Sequence, residues 1–506
     1  MKKYFLFAIL FAVFIISVVL RSKQITPIVK THEQTYILTL QTCEIWNKQG
    51  IAKCHFTPMW TYNNPGDKKM AYYKRLEDDN GNNYYVSFPP LSFMLAYLIL
   101  KPFDYDYGKL ILQIFNLIAH FFSACIIYLI VCQLFKQEIN KFSFPGFTAF
   151  LIYLFLPVML FLHSDIFFPE MIGQVLWILV TYILFRLKEN ANNRQYILFF
   201  VSMFLFVYTE WIAVFYIFSL ILYLSFTRNF SNRKKLIFLS LIALVSGAIT
   251  ITLQYASIAG FGNLFHAMGI RFLERSGFFG QKYSSMGVHI FSFESLKLFY
   301  LNIHKTLGIT GYILVLLFLI LIVKKRKLFT QTSVLIAVTI ALPLLLHCLV
   351  FFNANALHLM LMARITFPLS LIGGILVYYY FRKYHEYKKS VFIPIVLYFV
   401  FLIYSLFSYK NEFIFNEEYP QLIEVARLIK EKSNSQQAVF IIADNKIPEP
   451  EKFLTYMTKR NIIRVSDKYQ CLEYLKNNNL KHEAIVFDIG AAQDDEIISY
   501  NVIVNN

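Results

Sequence analysis

The chain has 506 residues, of which 57% are hydrophobic and only 16% charged, with a mean hydropathy of +0.51. Soluble domains carry roughly a quarter charged residues, so this composition excludes a soluble globular enzyme, a disordered chain and a collagen-like fibre, and points to many membrane spans. Six cysteines exclude a disulfide-built scaffold. The net charge is +17, but residues 411–506 hold 11 Lys and Arg against 15 Asp and Glu, a net of −4, which leaves +21 on residues 1–410. The basic excess therefore lies in the membrane part, where it sets orientation and meets anionic membrane lipid; no nucleic-acid partner is expected.

Apolar runs approaching the about 20 residues that a crossing needs lie at 4–20, 109–134, 146–163, 169–187, 195–209, 211–226, 236–255, 307–323, 331–352, 367–381 and 391–408. The run 91–103 is shorter, ends in Lys101-Pro102, and reads as an interfacial or re-entrant helix. Alternating spans put Lys2, Lys3, Lys136, Lys141, Arg186, Lys188, Arg194 and Arg228 on one side, together with the clusters 233–235, 324–327 and 382–389. The opposite short connections, 164–168 and 209–210, carry no Lys or Arg, and 353–366 carries only Arg364. The positive-inside rule then makes the N-terminus cytoplasmic, in a cell (inner or plasma) membrane. Three larger pieces, 21–108, 256–306 and 409–506, face outside. The first run resembles a signal peptide, but Val18-Val19-Leu20-Arg21 is a poor cleavage site and an uncleaved span is expected.

Residues 411–506 read as a small soluble domain. A helical period covers 417–433, short β-type runs lie at Ala438–Ala443, Ile462–Val465 and Ala484–Asp488, and Lys468–Asn477 reads as a helix. Strands alternating with helices predict parallel pairing. The expected fold is thus an α-helical polytopic membrane protein of about 11 spans over 1–410, with a C-terminal small α/β extracytoplasmic domain.

The candidate chemistry lies in acids at span ends. The first outer loop opens His32-Glu33-Gln34-Thr35-Tyr36 and closes Phe88-Pro89-Pro90-Leu91; the second outer turn contains Asp165. Two carboxylates at one interface can bind a metal, deprotonate a hydroxyl or fix a sugar; either acid alone also reads as a solvated loop residue.

The stretch from His32-Glu33 through Tyr36 to Gly50, closing on Pro89-Pro90-Leu91, resembles the first outer loop of the GT-C-type glycosyltransferases, with the lipid A aminoarabinose transferases and protein O-mannosyltransferases as nearest relatives. Asp165 stands where that family places its second acid. The turn Leu357–Pro368, with His358 and Arg364, is similar to the family's late His- or Arg-containing motif, and Pro448-x-Pro450, Tyr456 and Lys459-Arg460 are similar to a run in bacterial members. Two departures stand out: His32-Glu33 replaces a frequent Asp-Glu, and the polar tract 62–83 is long.

The resemblance implies an inverting transfer of one sugar from a polyprenyl-phosphate donor to a lipid, glycan or protein acceptor on the outer face. Glu33, with Asp165 as the alternative, takes the acceptor proton; the other acid orients the acceptor, or the two share a divalent metal. His358 and Arg364, with Arg271 and Arg275, are the candidates for the departing phosphate, ahead of Lys53, His55 and Lys282; headgroup anchoring is the competing role. Tyr36, Pro89, Pro90 and Glu210 are assigned to the substrate pocket, although Glu210 also reads as a cap at a tight turn. Glu170 suits the start of its own helix. Segment 256–306 suggests short amphipathic helices that cover the lipid donor. Cys43 and Cys54 read equally as a disulfide or two free thiols. The competing functions are a polysaccharide polymerase or ligase and a flippase-type transporter; the latter predicts mid-span charges and paired interrupted spans, which the sequence does not display.

Overall fold

The computed structural model describes residues 2–30, 33–70, 75–137, 142–189, 191–227, 230, 232–278, 290, 292–324, 331–384, 392–414, 420–443, 447, 449–478, 480, 483–489 and 498–503. His32, Lys141, Arg228, Lys282, residues 325–327, Lys388, Lys389 and Pro448 lie outside these residues. The chain runs α1 (Lys2–Leu20), α2 (Gln34–Gln49), the short hairpin β1 (Leu76–Glu77) and β2 (Asn83–Tyr84), α3 (Leu91–Leu100), α4 (Gly108–Leu134), α5 (Phe144–Phe155) and α6 (Pro157–Asp165). It continues with α7 (Pro169–Glu189), α8 (Asn193–Val207), α9 (Ile212–Phe226), α10 (Arg233–Ser276), α11 (Phe293–Lys324), α12 (Gln331–Ile336), a π-helical turn, α13 (Leu342–Val350), α14 (Phe352–Leu357), α15 (Leu359–Met362), α16 (Thr366–Tyr384) and α17 (Phe392–Glu412). Last come α18 (Pro420–Lys432), β3 (Ala438–Ala443), α19 (Pro450–Thr458), β4 (Ile462–Arg464), α20 (Lys468–Asn477), β5 (Ala484–Ile489) and β6 (Ile498–Ile503).

Each of the eleven apolar runs falls on helix. By length and composition, five helices among the described residues can cross a membrane, or six if the bent pair α5–α6 is one span. The others are short: a 15-residue helix such as α8 or α9 reaches about 22 Å against a hydrocarbon core of about 30 Å. The α5–α6 bend of 55° has a local cause. Pro157 lacks an amide hydrogen and drives Leu156 to extended backbone (ψ 132°), so α5 ends there and a new helix starts. Glycine has the same effect in two long helices. Gly260 (φ 80°) breaks α10 and Gly308 (φ 56°) breaks α11, both in backbone regions that residues with a Cβ avoid. The stretch expected as a loop with short surface helices, 256–306, is helical up to Ser276 apart from the break at Gly260, and helical again from Phe293.

The chain divides into two compact units. One comprises Met1–Ile25, Gln113–Ile251 and Gly269–Phe415. Its core is a single apolar cluster that includes Phe150, Tyr153, Leu160, Trp177, Tyr216 and Phe367, all fully buried. The other comprises Thr26–Leu112, Thr252–Met268 and Asn416–Asn506, so the first outer loop and the C-terminal segment share one body. Its sheet has the order β4-β3-β5-β6, with β3 parallel to β4 and β5, and β6 antiparallel to β5. The first three of these strands in chain order fall on the three apolar runs of the sequence; β6 was not legible there. One face of the sheet packs Val439, Ile441, Ile462 and Phe487 on Leu422, Val425 and Ile429 of α18.

Candidate active site

Glu33 is the N-cap residue of α2, but its side chain makes no capping bond. Its Oε1 meets Lys109 Nζ at 2.5 Å and its Oε2 accepts the Lys30 amide at 2.8 Å. Both side chains are withdrawn from solvent (1% and 0% exposed). Lys109 Nζ also donates to the Ile28 carbonyl at 2.8 Å and lies 6.0 Å from the Tyr36 ring centroid. Burial raises the Glu33 pKa above its ordinary value, and the Lys109 charge and hydrogen bond oppose that rise. A carboxylate has about four lone-pair sites, so Glu33 keeps acceptor capacity beyond these two partners. In the same unit Pro89 and Pro90 are buried at the start of α3. Tyr255 fixes their approach, its hydroxyl 2.9 Å from the Tyr85 carbonyl and 3.0 Å from that of Phe88.

Asp165 belongs to the other unit. It ends α6 and is 5% exposed. Helix ends leave carbonyls without partners, and here α4 supplies donors. Gln113 Nε2 donates to the Ser164 and Gln24 carbonyls, each at 2.8 Å. Asn116 Nδ2 donates to the Ile166 carbonyl at 2.7 Å, while its Oδ1 lies 2.9 Å from His163 Nδ1. The His163 ring stacks on His120 with 4.1 Å between centroids, and Arg21 Nη1 lies 3.3 Å from His120 Nδ1. Sequence reasoning missed this support, yet the signal was present. Gln113, Asn116 and His120 recur at helical spacing on one face of an otherwise apolar span, where polar groups are costly unless used.

The same unit holds a second buried cluster. Arg364, 2% exposed, donates through Nη2 to Glu210 Oε1 at 2.7 Å and places Nη1 2.8 Å from His347 Nε2. Glu210 Oε2 accepts the Ile212 amide at 3.0 Å, capping the tight turn, and Asn355 Nδ2 lies 3.2 Å from His347 Nδ1. Gly173 makes room for Glu210: a Cβ there would stand 2.8 Å from Glu210 Cβ. Glu170 is fully buried with its Oε2 lacking a hydrogen-bond partner. Arg364 and Glu210 thus pair with each other. His358 is exposed, Arg275 is half-buried, and half-buried Arg271 donates to Glu274 at 2.5 Å.

Each oxygen of Glu33 has one nitrogen partner, from Lys109 or Lys30. Among the described residues no group of three or more His, Cys, Asp or Glu could hold a metal ion. Cys43 and Cys54 are buried free thiols.

No protein-family model and no curated protein matches the sequence. Solved structures do match. The archaeal oligosaccharyltransferase AglB from Archaeoglobus fulgidus, in complex with an inhibitory peptide and a dolichol-phosphate, is similar over 96% of this chain and 70% of its own, with a TM-score of 0.58 and 13% identity. An Archaeoglobus fulgidus oligosaccharyltransferase in complex with Zn and sulfate gives a TM-score of 0.57 at 10% identity, covering 94% of this chain and 68% of that one. ArnT from Cupriavidus metallidurans, bound to undecaprenyl phosphate, covers 94% and 92%, with a TM-score of 0.56 and 9% identity. The chain has the GT-C fold of these membrane glycosyltransferases.

Proposed function

We propose that the chain is an integral-membrane inverting glycosyltransferase that moves a single sugar from a polyprenyl-phosphate donor to a lipid, glycan or protein acceptor on the outer face of the membrane. The observation that carries this reading is the pairing of a GT-C fold with a sheltered, Lys-held carboxylate in the first outer loop. Similar structures hold dolichol-phosphate and undecaprenyl phosphate, which supports a donor of that class. In the reaction the acceptor oxygen bonds to the anomeric carbon while the bond from that carbon to the phosphate oxygen breaks. The electron pair leaves with the polyprenyl phosphate, and the acceptor proton passes to Glu33. A base must be unprotonated, and a raised pKa brings its proton affinity closer to the working pH. Asp165 orients the acceptor, while His358, Arg271 and Arg275 meet the charge that develops on the phosphate. Arg364 joins them as a candidate, with Nη2 also paired to Glu210.

The likeness to an oligosaccharyltransferase favours one second reading, transfer of a preassembled glycan. Purified protein, radiolabelled polyprenyl-phosphate sugars and membrane extracts test both readings. One sugar added per acceptor, with release of polyprenyl phosphate, supports the first; a multi-sugar mass increment from prenyl-linked glycans supports the second. No turnover with either donor class overturns both.

A further inference from the structure

The C-terminal segment does not stand apart from the first outer loop. Loop segment 62–70 is stitched into it. Arg460 Nε meets Asp67 Oδ2 at 2.5 Å, with Asp67 fully buried, and Arg460 Nη1 donates to the Asn434 carbonyl at 2.7 Å. The Asn461 side chain copies a strand pairing: its Oδ1 accepts the Tyr62 amide and its Nδ2 donates to the Tyr62 carbonyl, both at 2.8 Å. The Gly66 amide donates to the Ser435 carbonyl at 2.9 Å, and the two backbones are so close that a Cβ at position 66 would fall 2.2 Å from the Gln436 carbonyl carbon. Only glycine fits that approach. Met70, with no exposure, packs with Phe440, Ile463 and Val486.

Helix α2 is held from the same side. Ile37 is fully buried and belongs to the apolar cluster of Leu422, Val425, Phe453 and Ile485. Glu44 pairs with Lys459, and Lys452 Nζ donates to Gln34 Oε1 at 3.3 Å, in the first turn after Glu33.

We propose that the C-terminal α/β domain is a fixed brace for the first outer loop, with Arg460, Asn461 and Lys452 as positioning residues that set the pose of α2 and so of the Glu33–Lys109 pair; the functional consequence rests on Glu33 acting as the base. The brace explains why this domain recurs in contact with positions 34, 37 and 44, spaced along one face of α2. It also gives Asp67 and Arg460 a purpose, since breaking a buried pair leaves an uncompensated charge.

Hydrogen exchange on the full-length protein tests the brace without relying on turnover. Arg460→Met is expected to speed exchange of the 34–49 amides by about tenfold or more, with the 193–207 amides unchanged. Lys452→Met, a partly buried side chain that folding can spare, should speed exchange only in the first turn of α2. In turnover, Arg460→Met should move the acid limb of the pH–rate profile, whereas a mere loss of folded protein would scale the profile without moving it. Unchanged protection of α2 in both variants overturns the brace, as does faster exchange confined to 420–489. If Glu33→Gln retains full activity while α2 loses protection as expected, the brace stands and the assignment of the base falls.

Discussion

Arg364 and Glu210 are each almost completely withdrawn from water and satisfy each other at 2.7 Å, with His347 on the far side of the guanidinium. Removing one partner leaves the other as a buried, unpaired charge, at about 3–5 kcal/mol. Glu210→Gln and Arg364→Met are therefore each expected to lower the unfolding temperature strongly, while the double replacement loses clearly less than the sum. Additive losses in thermal scans contradict the pairing. At Glu33 the signs are equally definite. Burial raises its pKa and Lys109 restrains the rise, so the rate should increase with pH through a limb above the ordinary Glu range. Lys109→Met removes the restraint and should move that limb further up. A limb that stays put shows that Glu33 is not the group titrating.

At the level of elements, the apolar helices were legible because an apolar stretch of helical length has few other uses, and α1, α4, α7 and α16 begin or end within a few residues of the runs that announced them. The proline at 157 and the glycines at 260 and 308 were visible as letters but not as breaks, since their effect depends on where the surrounding helix is packed. Glu33 and Asp165 stand out in the sequence as candidate acids because of the loops that hold them. Their partners were not: Lys109 lies 76 positions from Glu33, and the ion pair of Arg364 with Glu210 bridges 154. Pairings at such separations leave no periodicity in the sequence. The turn that carries Asp165 gives the matching prediction. Asn116→Leu strips a donor from the Ile166 carbonyl and leaves His163 Nδ1 without its partner. Each abandoned buried group costs about 1–3 kcal/mol. The variant should therefore melt earlier and turn over more slowly than an apolar exchange at an exposed position of the same helix, such as Ile118→Leu. Equal behaviour of the two variants would separate Asp165 from this support.

On the scale of the whole molecule, a boundary near residue 410 divides the sequence by composition, but compactness divides the chain differently, grouping the first outer loop with the C-terminal sheet. The reason is physical. Segments 26–112 and 416–506 are both rich in polar groups that find partners in one another, and Asp67 with Arg460 spans 393 positions to do so. Deleting 411–506 is accordingly expected to expose Ile37 and Met70 and to lower the yield of folded protein, read by detergent-solubilised monodisperse yield. In the proposed reaction sugar leaves a prenyl-phosphate donor with Glu33 as the base. Its most direct test is release of free polyprenyl phosphate from labelled donor by purified wild type beside Glu33→Gln and Asp165→Asn. Release by wild type is expected, with a loss of about a hundredfold or more in Glu33→Gln and label moving into an extractable acceptor. Wild-type rates in both variants, or a folded protein that binds the donor and never turns it over, would contradict it.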